Sequence, residues 1–185
     1  MSKVERQQRY SVEEYLAFED NQESRHEGVG GVVYELPGAS VVHSTIKDNV
    51  LDAFRRHLRA SALRVYSTAM KLRVGDAFYY PDIVISAHGN PGARYLVEPL
   101  VIAEIASVCS EQRDMLEKAV AYRGLPSVRE YAIVFDREMR VVVFRRRLDG
   151  WEEEVYGRNE VVRFESIGLA LPVHVIYGEA PVMDA

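Results

Sequence analysis

The spacing of apolar and polar positions predicts a mixed succession of helices and strands. Ser11 followed three residues later by Glu14 is a capping-box pattern, and it starts a short helix carrying Tyr15, Leu16 and Phe18. Past Gly28, Gly30 and Gly31, the run Val32-Val33-Tyr34-Glu35-Leu36 has strand composition and ends at the turn signal Pro37-Gly38. Over residues 44–60, Ile46, Val50, Phe54 and Leu58 recur every four positions, as one face of an amphipathic helix requires. Runs at 64–74, 79–86 and 100–106 predict a meander of three strands, with turns at Gly75-Asp76 and at 88–92. A further helix is expected over 111–123, where Met115, Ala119 and Tyr122 share a face and Gly124 and Pro126 supply the stop. Strands are then expected at 130–135, 140–146, 151–156 and 161–164. This order gives an α/β chain with a mixed sheet and no repeating βαβ unit.

Composition narrows the class without naming a chemistry. The 185 residues suit one domain, read here as 10–177 with terminal extensions 1–9 and 178–185. Apolar residues make up 48% and charged residues 28%, which argues against long disordered or fibrous stretches. The single cysteine, Cys109, excludes an internal disulfide or a multi-thiolate zinc site. Without a signal-peptide pattern or an apolar run long enough to span a bilayer, the chain reads as cytoplasmic, with no membrane partner. A net charge of -5 argues against a uniformly basic nucleic-acid packaging protein, while leaving room for a local basic surface.

Two acids stand in apolar strands. Glu104 lies within Leu100-Val101-Ile102-Ala103-Glu104-Ile105-Ala106, and Asp82 within Tyr80-Pro81-Asp82-Ile83-Val84-Ile85. A buried carboxylate must be protonated, paired or bound to metal, because an uncompensated buried charge is costly. A hairpin whose connection centres on Ala93 sets Asp82 opposite Glu104 on one sheet face. Carboxylates at that separation repel unless a proton or cation intervenes, and magnesium or manganese would suit such oxygen donors while keeping water in its shell. Asp114, Lys118 and Tyr122 recur at helical spacing and form one face that could look toward the pair, although the same spacing fits an ordinary surface ion pair.

Several segments in order resemble the Uma2 family, also called DUF820. They are Tyr15-Leu16-Ala17, Arg25-His26-Glu27, Gly38-Ala39-Ser40 before His43, Pro81-Asp82, Glu104, Lys118-Ala119-Val120-Ala121-Tyr122, Arg129-Glu130-Tyr131 and Ser166-Ile167-Gly168-Leu169. The resemblance implies a restriction-endonuclease-like fold of the PD-(D/E)xK class, a central mixed sheet flanked by helices. It implies divalent-metal-dependent cleavage of DNA phosphodiesters, with Mg2+ or Mn2+ as cofactor. It also suggests association into a homodimer.

In the parent pattern a lysine follows the glutamate by two positions, where this chain has Ala106. The resemblance therefore implies that Lys118 takes that role from the helix and that Glu27 joins Asp82 and Glu104 as a metal ligand. His26 and His43 are secondary candidates for contacts near the site. The chain departs from the family at Ser107-Val108-Cys109-Ser110 and at Gly28-Val29-Gly30-Gly31. An alternative is a catalytically inactive module binding nucleic acid or a protein partner, using basic residues such as Arg55, Arg56, Arg59, Arg145 and Arg147.

Overall fold

A computed structural model describes residues 9–87, 92–107 and 114–182, the side chain of Asp114 excepted. Helix α1, Val12–Glu19, opens with the expected capping box: Ser11 Oγ accepts from Glu14 N, and the Glu14 carboxylate accepts from Ser11 N. Strands β1, His26–Val29, and β2, Val32–Glu35, form a hairpin. The hairpin turns on Gly30 and Gly31, whose φ angles of 59° and 79° favour residues without a Cβ. Strand β1 is not among the expected elements, because its glycine-rich sequence resembles a loop. Helix α2, Val41–His57, is capped by Ser40, whose Oγ accepts from His43 N at 3.0 Å.

The expected three-strand meander is corrected. The first run divides into β3, Leu63–Ser67, and β4, Lys71–Val74; the second divides into β5, Ala77–Tyr79, and β6, Ile83–Ala87. Each division moves the chain between two sheets. A short β7, Tyr95–Leu96, precedes β8, Pro99–Ala106. After β8 the described chain resumes as a π-helical turn, Asp114–Lys118, continuing into α3, Ala119–Gly124. The remaining elements are β9 (Glu130–Phe135), β10 (Val141–Arg147), β11 (Gly150–Tyr156), β12 (Val161–Phe164), β13 (Leu169–Pro172) and α4 (Val173–Tyr177). Cys109 and residues 88–91 of the expected turn lie outside the described residues.

The larger sheet runs β11-β10-β9-β8-β6-β3, parallel only between β8 and β9. The smaller runs β2-β1-β5-β4-β7, and β12 pairs with β13. Both faces of the larger sheet are covered, which explains why its strands read as continuous apolar runs. Ile83, Ile85, Val101, Ala103 and Ile105 meet Ile46, Val50 and Phe54 of α2 on one face. On the other face Val84, Ile102 and Ala106 meet Ala119 and Tyr122 of α3, and Leu72 and Tyr79 of the smaller sheet. Between β6 and β8 the pairs Ile83 with Ala103, Val84 with Ile102 and Ile85 with Val101 follow the register expected from a hairpin centred on Ala93. Continued by one residue, that register sets Asp82 opposite Glu104, on the face covered by α3.

Candidate active site

Glu104 projects from β8 between Ile102 and Ala106 toward α3 and is 3% exposed. Its Oε1 accepts from Lys118 Nζ and from the Tyr122 hydroxyl, both at 3.0 Å. Its Oε2 accepts from Asp82 N at 3.0 Å, while Asp82 Oδ2 accepts from Ile105 N at 2.9 Å. The two acids are therefore cross-tied: each carboxylate takes a backbone N–H from the partner strand where regular pairing ends. Pro81 contributes no N–H, and the chain passes there from one sheet to the other.

Lys118 is 6% exposed and also lies 3.4 Å from Glu27 Oε1, on β1 of the smaller sheet. Glu27 is fully buried and accepts from Tyr80 N at 3.1 Å. The structure thus brings Glu27, Asp82, Glu104 and Lys118 into one cluster from four separate segments. The Lys118 ammonium stands between Glu104 and Glu27, while the Asp82 carboxylate faces His43 and the Ile105 N–H. Burial first, and the Glu104 charge second, hold the Tyr122 phenol well above its ordinary value, so it remains a proton donor to Glu104.

The histidines separate. His43, on the first turn of α2, puts Nε2 3.1 Å from Asp82 Oδ1 at the rim of the cluster. His26 points elsewhere: its Nδ1 lies 3.2 Å from Glu19 Oε2, and its backbone N donates to Glu19 Oε1. The Tyr80 hydroxyl also donates to Glu19 Oε1, at 2.7 Å, and the Tyr15 hydroxyl donates to His26 O. Sequence reading missed this support from Glu19, Tyr15 and Tyr80. The Tyr15-Leu16-Ala17 and Tyr80-Pro81 segments were the available signal.

Among the described residues no group of three or more His, Cys, Asp and Glu is arranged as a ready-made metal cage. The donor chemistry nevertheless fits a hard divalent cation. Asp82 and Glu104 offer oxygen ligands at neighbouring positions, and a cation held by so few carboxylates draws most of its shell from water. Asp82, 7% exposed and next to His43, is the more exposed of the two acids.

The arginines suspected of contacting nucleic acid are largely committed elsewhere. Arg145 pairs with buried Glu130 at 3.0 Å and with Glu154, Arg147 with Glu152 and Glu165 at 2.7 Å, and Arg56 with Asp52 at 2.8 Å. Glu130 also accepts from the backbone N–H groups of Glu165 and Ser166, fastening β12–β13 to the sheet.

Comparison with known proteins agrees with this architecture. A crystal structure of "a putative nuclease belonging to DUF820" from Anabaena variabilis ATCC 29413 superposes with a TM-score of 0.77, covering 91% of this chain and 97% of that one at 18% identity. Two uncharacterized proteins of Synechocystis sp. (strain ATCC 27184 / PCC 6803 / Kazusa) are similar in sequence. The protein slr1290 is 26% identical over 172 residues, 90% of each chain, and sll1609 is 23% identical over 159 residues, 82% of this chain and 90% of that one. The family model Uma2, described as "Putative restriction endonuclease", matches residues 12–174. The chain belongs to the Uma2 family, and its fold is that of a restriction-endonuclease-like nuclease.

Proposed function

We propose that the protein is a divalent-metal-dependent endonuclease that hydrolyses DNA phosphodiester bonds at the Asp82–Glu104–Lys118 cluster. The observation that carries this reading is the single buried centre in which the Lys118 ammonium meets Glu104 beside the cross-tied Asp82. Asp82 and Glu104 would hold Mg2+ or Mn2+, with Glu27 as a third acid in the same centre. When bound, such an ion lowers the pKa of a coordinated water and offsets charge on phosphate oxygens.

The chain's own groups then have separable tasks. Tyr122 and the Asp82 N–H fix the two oxygens of Glu104, so its carboxylate is oriented before any ligand arrives. Glu27 holds Lys118 against Glu104. From there the ammonium can stabilise negative charge developing on a phosphate oxygen, or orient the attacking water. His43 steadies Asp82 at the rim.

The test is cleavage of labelled duplex, nicked and single-stranded DNA with Mg2+ or Mn2+, against Asp82→Asn and Glu104→Gln. Both variants should lose cutting; activity unchanged in both would remove the site assignment. A second reading, a nuclease-like module that binds without cutting, draws on one observation: each oxygen of the acid pair already faces a protein donor. Salt-dependent binding with no cleavage under either metal would favour it. The reading includes a homodimer able to present two centres to a duplex, and light scattering that returns the monomer mass would remove that part.

A further inference from the structure

Beyond the acid cluster, the α3 side of the larger sheet carries arginines that no carboxylate of the described residues pairs with. Continuing the β9–β10 register sets Arg146 opposite Arg129, and Arg146 N donates to Arg129 O at 2.8 Å. In β11 Trp151 lies opposite Arg146, whose guanidinium sits 4.4 Å from the indole ring. Arg123, near the end of α3, lies 4.8 Å from the Phe144 ring. Arg146 also donates to the carbonyls of Val128, Arg123 and Leu125 at 2.7–2.9 Å, which ties the end of α3 to the sheet.

Among the described residues, none of Arg123, Arg129 and Arg146 forms a salt bridge. The acids that neutralise Arg145 and Arg147 lie on the opposite face, as strand alternation requires. Glu153, opposite Phe144, is the acid of β11 that shares the arginine face. Like charges directly across a ladder repel, and an anion between them relieves the repulsion.

We infer that this face binds backbone phosphates of the DNA strand that flank the bond to be cut, with Arg123 and Arg129 making the contacts and Arg146 fixing their frame. The inference rests on the nuclease reading for its substrate. Five residues separate Lys118 from Arg123, a rise of about 7.5 Å along a helix. That is about one and a half helical turns past the lysine of the acid cluster, within reach of one bound strand.

The experiment is equilibrium binding of a fluorescein-labelled duplex, by anisotropy, in EDTA, across a range of salt. Removing a phosphate contact reduces the slope of log K against log salt by about 1. Arg123→Ala and Arg129→Ala should each show that reduction with severalfold weaker binding. Arg129→Glu should bind more weakly still, Arg129→Lys should keep the slope, and Arg163→Ala on exposed β12 should match wild type. Thermal melts of the same variants distinguish loss of contact from loss of fold.

Wild-type binding with an unchanged slope in Arg123→Ala, Arg129→Ala and Arg129→Glu would overturn this surface and leave the nuclease reading intact. Wild-type protein that shows no salt-dependent binding would overturn both. Binding that behaves as expected, in a protein that cuts nothing with Mg2+ or Mn2+, would leave this surface standing and remove the enzyme.

Discussion

Replacing Lys118 by methionine removes the ammonium while nearly keeping the volume of the side chain. Its 3.0 Å contact with Glu104 and 3.4 Å contact with Glu27 lie in a region where all three groups are at least nine-tenths buried. Breaking a buried ion pair by deleting one partner costs about 3–5 kcal/mol, because the remaining charge stays in a poor solvent. Against the ~5–15 kcal/mol typical of a domain, such a loss is large. Urea denaturation of wild type, Lys118→Met, Glu27→Gln and the double variant measures it. The cycle should show coupling, with Glu27→Gln recovering part of what Lys118→Met loses, since one of the two stranded acids is then neutral. Titrating Mn2+ gives an independent check, because an ion that takes the vacated role stabilises Lys118→Met more than wild type. At a hundredfold excess over Kd the linkage is about 2.7 kcal/mol. A loss below about 1 kcal/mol, the range of exposed surface pairs, would refute the view of Lys118 as the internal counter-ion of the acids.

Other outcomes follow from the same geometry. Tyr122→Phe deletes the 3.0 Å hydrogen bond to Glu104 without changing the ring, and should cost about 1.5–3 kcal/mol as a bond to a charged group; unchanged stability and unchanged cleavage would deny it a positioning role. Gly28→Ala would place a Cβ 2.7 Å from the Tyr15 ring, next to Glu27, and should destabilise by about 1–3 kcal/mol in thermal or urea melts; a neutral result would show that Tyr15 can move aside. Tyr15, Tyr80, Tyr122 and Tyr177 all have phenols raised above the ordinary value of 10.0, chiefly by burial. Their raised folded values favour the protonated native state, so stability is fully present below pH 10 and is lost as pH rises, with a slope approaching about 5 kcal/mol per pH unit for four phenols. Stability measured from pH 8 to 11 that stays flat would contradict that burial. In acid, Glu165, lowered by its hydrogen bond from Arg147, contributes stability present above the unfolded carboxylate value and lost as pH falls through the folded one, which hydrogen exchange in β12–β13 should report.

Legibility in the sequence depended on what marks each feature carried. The register of β6 with β8 was readable because two acids interrupt otherwise apolar runs, and both strands alternate toward the same faces. Spacing puts Lys118 and Tyr122 on one helix face that could look toward the acids, the family pattern gives Lys118 its role, and nothing in the sequence marks the Tyr122 hydrogen bond to Glu104. The breaks at residues 68–70 and at 80–82 were not readable, since an apolar run does not say which of two sheets it joins. His26–Val29 escaped because Gly28, Gly30 and Gly31 resemble a loop, although Gly28 is needed in the strand to admit the Tyr15 ring. Arg123, Arg129 and Arg146 are scattered in sequence, and only cross-strand pairing and the docking of α3 bring them together.

Glu27 reaches the centre from the smaller sheet, whereas Asp82 and Glu104 sit at the edge of β6 and within β8 of the larger one. The expected consequence is an order in time. During refolding, the larger sheet can close and partly cover Trp151, the only tryptophan, before the smaller sheet docks. Competence of the centre would then be the last property recovered, because it needs the two halves in contact across Lys118. Stopped-flow fluorescence of Trp151 run beside recovery of cleavage should therefore show the optical phase leading, and coincident phases would mean that both sheets assemble in one step.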